Sequence, residues 1–179
     1  MPRLFTGIEI PATIAQHLAS LRGGLSGARW LDPQNYHLTL RFIGDVENGV
    51  AHEVHECLTR VRRRGFTLGF TGVDAFGGRK PHAIYAAVGP SPELAALQAE
   101  HERMFQMIGL PAEGRRYTPH VTLARLRGVQ PGPVANYLGD RGGFLSMPFQ
   151  VTRFVLFSAR TGTGGGPYVV EEEYPLNGR

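Results

Sequence analysis

The chain has a single cysteine, Cys57, and that scarcity removes two classes of architecture at once. One thiol cannot close an internal disulfide or supply a cysteine-based zinc site, and it suits a reducing compartment. Lysine is equally scarce, because Lys80 is the one lysine among 19 basic residues. No apolar run is long enough for a membrane span, and the N-terminal segment reaches Glu9 before it could form a signal peptide. The expectation is a cytoplasmic protein without a membrane partner.

What is present is glycine, proline and arginine. The 24 glycines and 13 prolines among 179 residues stay below the roughly 25–30% that marks a disordered chain. A 42% hydrophobic content supports a folded core rich in turns. The formal charge of +4 rests almost wholly on arginine. Guanidinium grips phosphate bidentately, so an arginine-rich surface suits nucleic acid, although a GC-rich coding sequence would give the same composition.

The organising feature is a short stretch carried twice, His37-Leu38-Thr39-Leu40 and, about half a chain later, His120-Val121-Thr122-Leu123. In an extended strand, residues two apart share a face. Each copy therefore places an imidazole and a hydroxyl on one side and two apolar anchors on the other. One His-x-Thr strand alone reads as a polar edge pair. Nothing in packing requires the same pair to recur with matched flanks.

Between these strands the chain alternates helix and strand. A first strand over Arg3 to Ile10 precedes a helix to about Leu21, and a second helix is expected from Asn48 to Arg64, ended by Arg62-Arg63-Arg64. Phe66 to Val73 and Ala83 to Val88 read as a hairpin. Ser91-Pro92-Glu93 reads as an N-cap opening a helix to Ile108. A short helix near Val134 to Leu138 precedes strands Phe149 to Ser158 and Tyr168 to Tyr174, joined by a Gly162–Gly166 loop. Trp30 is expected to pack rather than to stack on a base. His52 and His55, beside acidic residues, read as a solvated helix face rather than a metal site. The fold class is α+β, with two antiparallel sheets and helices on their outer faces.

The two motifs and their flanks resemble the 2H phosphoesterases, and within them the RNA 2′,3′-cyclic phosphodiesterase (2′–5′ RNA ligase-like) family. The residues that carry the likeness are Arg3 to Ile8, Arg29-Trp30, His37 to Gly44, Phe76 to Pro81, Tyr117 to Arg125 and Phe154 to Ser158. The resemblance covers nearly the whole chain. It implies one bilobed domain over 1–179, with lobes related by a pseudo-twofold and a cleft where the motifs meet.

Histidine titrates near neutrality, so one ring can act as base while a second acts as acid. The expected catalytic pair is His37 and His120. Thr39 and Thr122 share their faces and can donate to phosphate oxygens. Arg125 stands at an odd offset from His120 and reaches the site only if the strand ends or bulges, yet the resemblance makes it a phosphate contact. Arg41, at an even offset from His37, has the better parity and the weaker likeness. No metal or cofactor is implied, and a monomer acting on RNA with a 2′,3′-cyclic phosphate terminus is expected. By analogy His120 would be the base and His37 the acid, leaving a 2′-phosphomonoester, with 2′–5′ ligation as the reverse reaction. The alternatives are a phosphodiesterase for small cyclic nucleotides and a non-catalytic module that holds RNA 3′ ends.

Overall fold

The computed structural model describes residues 3–159 and 167–178. In chain order the elements are β1 (Arg3–Glu9), α1 (Ala12–Ala19), β2 (Ala28–Trp30), a 3-10 turn (Pro33–Asn35), β3 (His37–Asp45), α2 (Asn48–Leu58), β4 (Phe66–Leu68) and β5 (Phe70–Phe76). There follow β6 (Ala83–Val88), α3 (Pro92–Met107), β7 (His120–Leu126), α4 (Pro131–Arg141), β8 (Phe149–Val151), β9 (Arg153–Ala159) and β10 (Tyr168–Pro175).

Two four-stranded antiparallel sheets form the framework, ordered β10-β9-β1-β3 and β2-β7-β6-β5, with β4 and β8 as a separate ribbon. The first sheet carries the first motif and the second sheet the second. The α+β architecture read from the sequence is the one observed.

Helices cover the faces turned away from the motifs. α3 lies on the first sheet, where His101 Nδ1 meets the Thr6 hydroxyl at 3.0 Å. α2 lies there too, with His55 Nδ1 2.8 Å from the Tyr174 hydroxyl. α4 joins the second sheet through the Val73 amide, which donates to the Gly142 carbonyl. The Tyr137 hydroxyl of α4 donates to the Leu21 carbonyl just after α1 at 2.7 Å. Trp30 packs on Tyr137. The apolar anchors of the two motifs, Leu38 and Val121, are fully buried beneath these helices. Each contributes roughly 1.5–3 kcal/mol by leaving water.

Several element bounds differ from the sequence reading. α2 stops at Leu58 instead of Arg64, because the chain tightens into i→i−3 turns at Arg60 and Val61. The arginines therefore lie beyond the helix, where Arg63 pairs with Glu100 and Arg62 donates to the Thr59 and Val61 carbonyls. The expected strand Phe66 to Val73 breaks at Gly69, so that β4 can pair with β8 while β5 pairs with β6. Phe149 to Ser158 breaks at Thr152 for the same reason. The Gly162–Gly166 loop lies outside the described residues. Among those described, no helix is long and apolar enough to cross a membrane.

Candidate active site

Each motif histidine is hung in the same way. His37 Nδ1 lies 2.9 Å from the Asn35 carbonyl, and His120 Nδ1 lies 2.6 Å from the Thr118 carbonyl. A carbonyl can only accept, so Nδ1 carries the hydrogen in both rings. Nε2 is then the atom that exchanges a proton, bare in the neutral ring and a donor in the charged one.

Each ring also rests on an aromatic floor supplied by its own sheet. His37 packs against Phe5, Phe157 and Tyr168, at centroid distances of 5.0, 5.7 and 4.5 Å. His120 packs against Phe76 and Tyr85 at 4.9 and 5.5 Å, and those two rings stack on each other at 3.9 Å. Both histidines are half-buried.

The strand register explains the two arginines. Opposite β1, Gly7 faces Thr39 and Thr6 faces Arg41, so Leu40 is an extra, bulged residue. Opposite β6, Tyr85 faces Thr122 and Ile84 faces Ala124, so Leu123 is the extra residue. A bulge inverts the alternation beyond it. Arg125 is thereby returned to the face of His120 and Thr122. Arg41 is turned the other way, onto the helix face, which corrects the parity expected of it. It is buried there, with its guanidinium on Glu102 of α3 and on the Phe42 and Pro111 carbonyls.

The residue that occupies the cleft face in place of Arg41 is Phe42, 55% exposed, with its ring 5.6 Å from Phe5. The conflict noted for Arg125 was the one sequence signal of these bulges. Gly7, opposite Thr39, is a point of close approach between β1, β3 and the Phe157 ring. A Cβ there would stand 2.7 Å from the Leu38 carbonyl oxygen.

Two approaches link the sheets across the cleft. The Arg125 guanidinium of β7 stands close enough to Tyr168 of β10, the ring that lies against His37, to oppose the burial that raises the pKa of its phenol. The Tyr117 hydroxyl, just before β7, donates to the Thr39 carbonyl of β3 at 2.8 Å. Neither tyrosine carries a sequence pattern that announces this role. Arg29, opposite Arg125 on β2, adds a second exposed guanidinium to that face. Of the residues singled out from the sequence, His37, Thr39, His120, Thr122 and Arg125 are brought to one cleft. Arg41 is not.

The electrostatics follow from this crowding. Burial pushes the His37 imidazole down to about 4; the Asn35 carbonyl opposes that shift, and the charges of His120 and Arg125 add to it. His120 is lowered too, chiefly by burial, against the pull of the Thr118 carbonyl. That His37 feels the charge of both groups places them in one field. The arrangement sets two proton-exchanging rings and a guanidinium within electrostatic reach of one another, with the Thr39 and Thr122 hydroxyls on the histidines' own strand faces.

Residues 10–163 match the model of the 2′-5′ RNA ligase superfamily. The chain belongs to this superfamily. Among its relatives in the superfamily, an Aeropyrum pernix protein named RNA 2′,3′-cyclic phosphodiesterase is 34% identical over 63% of this chain and 68% of that one. A Thermotoga maritima protein of the same name is 31% identical over 98% of this chain and 96% of its own length. Among solved structures, a Thermus thermophilus protein superposes with a TM-score of 0.83 at 21% identity, covering 98% of each chain. Escherichia coli LigT complexed with 3′-AMP superposes at 0.78 with 24% identity, over 98% of this chain and 99% of the other. These two likenesses are of fold.

Proposed function

We propose that the protein hydrolyses 2′,3′-cyclic phosphate ends of RNA to 2′-phosphomonoesters, by acid–base catalysis between His37 and His120 without a metal. The observation that carries this reading is the matched suspension of the two rings. Each Nδ1 is committed to a backbone carbonyl, and each Nε2 is kept for proton transfer, with the Arg125 guanidinium within electrostatic reach of His37. The names of the Aeropyrum and Thermotoga relatives support the substrate class.

Opening a cyclic phosphodiester requires a proton to leave the attacking water and another to reach the departing ribose oxygen. His120 takes the first through Nε2, and His37 gives the second, so that the 3′ oxygen leaves and the 2′ oxygen keeps phosphorus. Negative charge grows on the non-bridging oxygens, where the Thr39 and Thr122 hydroxyls and the Arg125 guanidinium donate. In the free protein the charges of His120 and Arg125 oppose a proton on His37. The phosphate anion reverses the sign of that field and raises the pKa of His37 as substrate arrives. Joining ends through a 2′–5′ bond follows the same path with a 5′-hydroxyl in place of the attacking water.

The test is incubation with an RNA bearing a 2′,3′-cyclic phosphate, followed by identification of the hydroxyl that keeps the phosphate. A 2′-phosphate formed equally well in EDTA is the expected product. Binding without turnover, or turnover confined to cyclic mononucleotides, would overturn the reading.

A further inference from the structure

A hollow of about 440 Å³ adjoins the cleft on the His37 side, at the end of the floor where β1 runs into α1. Its walls include the His37, Phe157 and Tyr168 rings together with Gln16 of α1 and Gln34 of the 3-10 turn. We propose that this hollow receives the base of the RNA's terminal nucleoside, a deepening that rests on the reaction proposed above.

Three features select a base over other parts of the substrate. The volume lies within the range of small-ligand sites, roughly 300–1,000 Å³. Among the described residues, no lysine or arginine lines the hollow, and the one carboxylate on its wall, Glu9, pairs with Arg153 at 2.8 Å. Phosphate is therefore disfavoured there, whereas the opposite wall of the cleft carries Arg125 and Arg29. The rest of the lining is mostly apolar, rings and aliphatic side chains such as Ile10 and Val170, beside two exposed carboxamides, Gln16 and Gln34. Rings stack on any base, and a carboxamide both donates to and accepts from a base edge.

The connectivity of the substrate agrees. The reacting 2′,3′ edge of the ribose must lie at the imidazoles, and the base is joined at C1′, next to C2′. His37 is the wall shared by cleft and hollow, so a ribose held at its Nε2 has its base within reach of the hollow. The phosphates then face the arginines of the second sheet.

The experiment compares oligoribonucleotides ending in a 2′,3′-cyclic phosphate on A, G, C or U with one whose terminal ribose lacks a base. The kcat/KM of base-bearing ends should exceed that of the base-lacking end by roughly tenfold, the scale of base stacking. In the Gln16→Ala, Gln34→Ala double variant that ratio should fall severalfold, and Ala12→Trp, which projects into the hollow from its rim, should bring it near one. A ratio near one in the unaltered protein, or one that neither variant moves, overturns the proposal. Titration with adenosine and uridine, followed by the backbone amide signals of Gln16 and Gln34, supplies a readout that needs no turnover. Shifts localised there without any opening of cyclic ends would sustain the base site and defeat the reaction. Opening without such shifts, at a ratio near one, would do the reverse.

Discussion

The Tyr117 hydroxyl, on the segment that leads into β7, and the Thr39 main-chain carbonyl of β3 in the other sheet, 78 residues apart, are joined at 2.8 Å. Through this bond the strand that carries one histidine is tied to the strand that carries the other. Burial raises the Tyr117 phenol well above its ordinary value, so it remains a donor throughout the working pH range. Tyr117→Phe should cost about 1 kcal/mol of stability, the usual net value of one hydrogen bond. Because the cleft loses a tie, kcat/KM should fall beyond what that stability loss explains. Denaturant unfolding read beside activity would check both, and unchanged activity would show the bond to be merely structural.

Replacing either His37 or His120 by Ala should lower kcat by at least roughly 10²-fold with folding intact. The double variant should be little worse than either single one, as for groups that act as a unit. The acid is identified by a substrate whose 3′ oxygen is sulfur, because a thiolate leaves without a proton. His37→Ala should regain much of its rate on that substrate and His120→Ala should not. The opposite pattern would exchange the two roles.

Both imidazoles are depressed in the free protein, His37 to about 4. The profile of kcat/KM against pH reports the free enzyme. Activity is lost toward acid as the base becomes protonated and toward alkali as the acid loses its proton. With both groups below the ordinary value of about 6.5, the maximum of the bell should lie on the acid side of that value. A plateau extending above pH 8 would rule out this pair.

Arg41 and Arg125 should behave as opposites. Arg41→Ala leaves Glu102 with the Gln106 carboxamide and the Glu113 amide as its donors and frees two carbonyls, so the stability loss should fall at the low end of the 3–5 kcal/mol of a broken buried pair, about 3 kcal/mol. Turnover per folded molecule should change little. Arg125→Ala should leave the melting temperature within a few degrees and raise KM or lower kcat by about tenfold or more. Equal effects of the two substitutions on activity would contradict the bulged register.

His101 makes the fold itself sensitive to pH. It is fully buried on α3, Nδ1 bonds the Thr6 hydroxyl, and Nε2 has no partner among the described residues. Burial, with the charge of Arg63, pushes it down to about 3. A histidine lowered in the folded state binds its proton more tightly when unfolded, so stability is full above the unfolded value and falls as pH drops toward 3. The slope should approach 1.4 kcal/mol per pH unit in that window, and His37 adds to it with the same sign. His101→Phe should flatten the dependence of unfolding free energy on pH. We also propose that residues 1–179 unfold as one unit, because helices and strands cross between the lobes, and a single coincident transition by two probes would be the sign of it.

The sequence by itself determined the two motif strands, the N-cap at Ser91, the helix–strand alternation and the α+β class. Each of these depends on side-chain periodicity and local backbone preference, which neighbouring residues fix. Only the tertiary structure decided which arginine enters the cleft. Leu40 and Leu123 look like ordinary strand residues, and they bulge because of their partners on β1 and β6, far away in the chain. The bridge from Tyr117, the approach of Arg125 to Tyr168, the burial of His101 and the hollow beside His37 arise in the same way. They are set by the approach of segments remote in sequence, and no local pattern encodes that approach.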